Sequence, residues 1–152
     1  MSNPYEGWLS ERFPKADIAR MREVFVQVAP DHRIDLVDLV LAWNGHVERI
    51  ERELTTSSDE PTAWGAYDLV AALCLRDFLR DGLSGLGEGL RQRVELPILD
   101  IDNRFIAYTE LDNRGLVERI DGRSRPSSEW WWHRIPRSGP VREDILRSNG
   151  IE

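Results

Sequence analysis

The sequence predicts an all-α protein: a bundle of four to six helices closed by an irregular, tryptophan-rich C-terminal lid, which could include a short β-hairpin. Three observations predict this. Apolar residues recur at intervals of three and four through most of residues 15–110. Proline and glycine fall between those periodic runs, as punctuation. Beyond residue 112 the period is lost, and three tryptophans stand side by side at 130–132. At 152 residues the chain fits one compact domain, 1–152, with 112–152 as the lid segment.

The elements follow in order. Residues 4–13 read as a short helix with Tyr5, Trp8 and Leu9 on one face. Pro14 opens a second helix, about 15–29, whose Ile18, Met21, Phe25 and Val28 form a single stripe that Pro30 ends. Residues 31–33 make a polar connection, and Asp35 is placed to cap a third helix, about 36–55. Leu36, Leu39, Val40, Trp43, Val47, Ile50 and Leu54 form its apolar seam. Asn44-Gly45 interrupts that seam at a propensity cost of about 1 kcal/mol or more, so either close packing offsets the pair or the helix bends there. Glu48, Arg49, Glu51, Arg52 and Glu53 read as the solvated face.

A loop at 55–61 leads to a fourth helix, about 62–83, which is apolar around most of its circumference and therefore central. Its polar residues Asp68, Arg76, Asp77, Arg80 and Asp81 must share a narrow strip or be paired. Glycines 82, 85, 87 and 89 punctuate the next connection. The fifth helix, about 88–110, carries Leu90, Val94, Ile98, Ile101 and Phe105 on one stripe, with Pro97 expected to kink or divide it. In the lid, 116–120 and 130–135 pair as a short hairpin, and 141–147 form a last helical turn.

The formal net charge is −7, from 20 basic and 27 acidic residues. Such a chain repels nucleic acid and anionic lipid at long range and is steered toward basic partners. The charge is uneven: residues 1–113 sum to −9, whereas 114–147 hold eight arginines against five acids. The simplest reading is a basic tail packed on its own acidic body. Cys74 is the only cysteine, which excludes an intrachain disulfide, and it reads as a buried small hydrophobe. No apolar run reaches the roughly 18 residues of a membrane span, and the N-terminal residues lack signal-peptide features, so the expected location is the cytoplasm.

Few patterns carry chemistry. His32, His46 and His133 show no metal-site spacing, so no metal or other cofactor is expected. Residues 110–115 share the acidic spacing of a calcium loop, but Arg114 stands where an oxygen ligand is required. Asp102, on a bundle helix, reads instead as a buried partner for Arg76 or Arg80. The glycines at 82–89 lack the Gly-Lys-Ser/Thr of a phosphate loop. The segment Glu129-Trp-Trp-Trp-His-Arg-Ile-Pro136 is the exception, because three successive indoles cannot all face one core.

Residues 130–141 (Trp-Trp-Trp-His-Arg-Ile-Pro-Arg-Ser-Gly-Pro-Val), 41–48 (Leu-Ala-Trp-Asn-Gly-His-Val-Glu) and 71–79 (Ala-Ala-Leu-Cys-Leu-Arg-Asp-Phe-Leu) resemble small uncharacterised proteins of actinobacteria. The resemblance spans most of the chain. It implies a bacterial cytoplasmic setting and carries over no catalytic residue.

These readings lead to an expected protein-binding module, with no catalytic residues, of the immunity or antitoxin type that inhibits a basic partner such as a toxin. Its expected surface is Trp131, His133 and Arg134 with the acids Glu48 and Glu51. The alternative is a small-ligand protein or enzyme whose pocket gathers Asp77, Arg80, Asp102 and His133. A homodimer paired through the amphipathic third helix is a third option.

Overall fold

The computed structural model describes residues 6–151; the predicted role of Tyr5 lies outside them. Among the described residues the chain is mainly helical, as expected, but with seven α-helices and two short antiparallel sheets. It divides into two compact units, one of residues up to Gly45 with Leu75–Asp102, the other of His46–Cys74 with the residues from Asn103 onward.

The first unit opens with α1 (Glu6–Arg12) and α2 (Lys15–Met21). The second helix stops eight residues short of expectation, because β1 (Phe25–Ala29) and β2 (His32–Asp35) form a hairpin in its place. Valines at 24, 26 and 28 alternate with other residues, a period of two that competes with the helical stripe. The strand wins. Val26 and Val28 turn inward while Phe25 is left 52% exposed beneath the Arg33 guanidinium. The expected polar connection at 31–33 is therefore turn and second strand.

Helix α3 (Leu36–Glu53) begins where Asp35 predicts: its carboxylate accepts the Asp38 backbone N–H at 2.9 Å. Arg22 braces the cap, donating to Asp35 at 3.1 Å and Asp38 at 2.9 Å. The helix runs unbroken through Asn44-Gly45, with Asn44 wholly buried. Every seam residue from Leu36 to Ile50 is buried, so α3 keeps no apolar stripe for a second copy.

Helices α4 (Ala66–Ser84) and α5 (Glu88–Tyr108) complete the long elements. In the first unit Gly82 lets α4 approach the hairpin, where a methyl group would meet Leu36 Cδ1 at 2.9 Å and Val26 Cγ2 at 3.2 Å. Pro97 is accommodated inside a single continuous α5, which it does not divide. Of the predicted stripe, Val94, Ile98, Ile101 and Phe105 are buried, whereas Leu90 near the start of the helix stays partly exposed.

The second unit departs most from expectation. Residues 116–120 lie in a helix, α6 (Leu116–Asp121), and do not form a strand. The strand that precedes it, β3 (Thr109–Leu111), pairs instead with β4 (Arg134–Pro136), Thr109 opposite Pro136 and Leu111 opposite Arg134. Helix α7 (Pro140–Ser148) follows the strand. The segment beyond residue 112 is thus no irregular lid: Leu116, Val117, Trp131, Trp132, Ile135, Val141 and Ile145 are core residues. Arg49 and Glu53 are not on a solvated face either. Glu53 is buried, pairs with Arg49 and accepts the Trp64 N–H at 2.7 Å, while Arg49 stacks on the Trp64 ring.

Candidate functional site

The three tryptophans and His133 form one turn of 3₁₀ helix, Trp130–His133. With three residues per turn, successive side chains point about 120° apart. Two rings can therefore enter the core and one cannot. Trp132 is wholly buried and Trp131 is 3% exposed, which corrects the expectation that Trp131 presents a ring to a partner. Trp130 keeps partial exposure, edge-on to Trp131 and tilted against Phe105.

The other expected binding residues lie in the same unit and serve its internal structure. His133 places Nε2 2.6 Å from the Ser127 carbonyl and Nδ1 3.3 Å from Glu118. Arg134 donates to the Thr109 hydroxyl at 2.7 Å and to the Thr109 carbonyl at 3.0 Å. Burial, with nearby Arg137, draws the Arg134 guanidinium below the usual arginine range. Glu51 is exposed and bonds the Tyr108 hydroxyl, whose pKa it raises; Glu48 is half-buried.

Of the four groups of the alternative pocket, two pair with each other and a third is held by Arg76. Asp77 and Arg80 lie 3.8 Å apart, with Arg80 also on Asp81 at 3.0 Å. Asp102 is held by Arg76, as the sequence suggests, through Nε at 3.0 Å and Nη2 at 2.9 Å. The Trp43 indole N–H donates to the same carboxylate at 2.9 Å. His133 belongs to the other unit.

A feature missed in the sequence lies in the first unit. Leu96 and Leu99 sit off the buried stripe of α5 and are 66% and 52% exposed. They flank a groove of about 510 Å³ between α5 and α4, with Leu83 and Ile98 in its walls. The buried Arg76–Asp102 pair lies in its lining with Gln92 and Glu95, the latter paired with Arg91 at 3.4 Å. Two leucines that break an otherwise regular inward stripe were the available signal. An apolar trough with a mutually neutralised polar pair suits an apolar side chain better than a charged substrate.

No helix among the described residues is long and apolar enough to cross a membrane. Compared with protein-family models, curated proteins and solved structures, the chain matches none.

Proposed function

We propose that the protein acts by binding a basic protein, and that the α4–α5 groove receives an apolar segment of that partner. The exposure of Leu96 and Leu99 beside the groove carries this reading. Charge selects the partner's chemistry: the chain is at −7 and Asp100 is exposed one residue beyond Leu99, while the groove's own Glu95 is paired with Arg91 at 3.4 Å. Relative to the sequence reading, the docking face moves from the tryptophan turn to α5. An immunity- or antitoxin-type inhibitor is the specific form of this function, since it needs anchors and charge and no reacting groups.

Coexpression with the products of the neighbouring reading frames tests the reading. A complex that is lost in Leu96→Asp/Leu99→Asp and weakened by added salt supports it. A complex indifferent to both changes, or no complex with either neighbour, overturns it.

A further inference from the structure

The eight arginines of 114–147 are not equivalent. Arg134 and Arg137 bond the backbone at Thr109, Arg142 pairs with Glu110, and Arg147 pairs with Asp144. Arg123 is shared by Asp121 at 2.7 Å and Glu118 at 3.7 Å, and lies 3.8 Å over the Trp132 ring. The tail does pack on acids and carbonyls, but only in part. Arg114, Arg119 and Arg125 are exposed, and among the described residues none of the three has an ion pair.

Those three line one basin of about 290 Å³ in the second unit, together with Arg123 and Ser124. The carboxylate in its wall, Glu118, is already engaged by His133 at 3.3 Å and by the Ser127 N–H at 2.7 Å, besides Arg123. Glu118 is therefore held as part of the scaffold. The basin keeps a positive excess on a chain whose net charge is −7. Three exposed guanidiniums lining one basin raise its local positive potential and attract an anion.

We infer that this basin is a binding site for a small phosphorylated anion carrying at least two phosphoryl groups, a pyrophosphate or the diphosphate tail of a nucleotide. A guanidinium presents a planar fork of donors that matches phosphate oxygens in pairs. Three such forks on separate residues of one basin suit an anion whose oxygens are spread over two phosphoryl groups. A small anion fits better than a polyanion, because the basin is compact and the rest of the chain repels nucleic acid at long range. The Arg123–Trp132 stack fixes one wall, so part of the ordering is complete before the anion arrives. This site is independent of the groove on α5.

Calorimetric titration of the full chain with inorganic pyrophosphate and with a nucleoside diphosphate, at low ionic strength, tests the inference. Saturable binding of either probe is expected, weaker by about tenfold or more in Arg119→Gln/Arg125→Gln. Two controls should leave it unchanged: Arg52→Gln, which removes an exposed arginine outside the basin, and Leu96→Asp/Leu99→Asp. Equal affinity for the two probes assigns recognition to the phosphoryl groups; tighter nucleotide binding adds a contact to the nucleoside, and both support the site. No saturation at millimolar probe, an equal loss in Arg52→Gln, or displacement of the anion by an equimolar glutamate-rich peptide would overturn it.

Discussion

Arg76 grips Asp102 with two parallel hydrogen bonds, of 3.0 and 2.9 Å, where each residue is only 6% exposed. Removing one partner strands a buried charge, which typically costs about 3–5 kcal/mol. Asp102→Ala should approach that loss, and Trp43→Phe, which removes one donor to the same carboxylate, should cost nearer 1 kcal/mol. Urea unfolding of both variants and of Arg76→Met/Asp102→Leu checks this. The double variant should be more stable than Asp102→Ala, because no unpaired charge is left.

Gly139 has φ +93°, and a methyl group at its α-carbon would run into the Glu53 carbonyl oxygen. Only glycine satisfies both the dihedral and the approach. Gly139→Ala should therefore destabilise the protein by about 2 kcal/mol or more. A melting temperature within a degree of wild type would contradict this.

Asp112 caps α6, accepting the backbone N–H groups of Leu116 at 3.1 Å and Val117 at 2.9 Å. This is the carboxylate whose spacing resembles a calcium loop. Its observed partners are the orphan donors of a helix start. Asp112→Ala should cost about 1–2 kcal/mol, and Asp112→Asn, which keeps one acceptor oxygen, should recover part of it. Thermal unfolding of the pair distinguishes the two.

Burial lowers the His46 pKa below 6.5, against an opposing pull from Asp68; its ring lies 5.2 Å from Trp64. The unfolded chain then takes up a proton at a higher pH than the folded one. His46 therefore contributes fully above pH 6.5, and its contribution declines as pH falls below that value toward the folded pKa. Comparing the melting temperature with that of His46→Phe across this range should show a steeper acid-side decline in wild type. Parallel curves would contradict the assignment.

Local signals were legible in the sequence. Asp35 marks the start of α3, the α5 stripe is buried from Val94 to Phe105, and Asp102 finds Arg76. The hairpin at 25–35 was hidden because Ile18, Met21, Phe25 and Val28 satisfy a helical period while the valines at 24, 26 and 28 satisfy a strand period. Glu53 was misread because the Trp64 N–H it accepts lies 11 residues away, and no local pattern announces a buried carboxylate. The tryptophan turn was half legible: one ring does stay at the surface, but which one depends on a 3₁₀ geometry set by packing. The partition of the arginines was not legible, because pairing depends on tertiary neighbours.

The division of the chain has a consequence for its synthesis. All the segments of the first unit have been made once Asp102 is joined, so that half is free to consolidate as soon as Asp102 clears the ribosome. The second unit stays open far longer. Its Thr109 awaits Pro136 across the sheet, and the Ala66 N–H awaits the Asp144 carboxylate, 78 residues downstream. A nascent chain stalled shortly before α7 would carry a finished first half and a sticky, unsealed second one, and that species is where quality control would act.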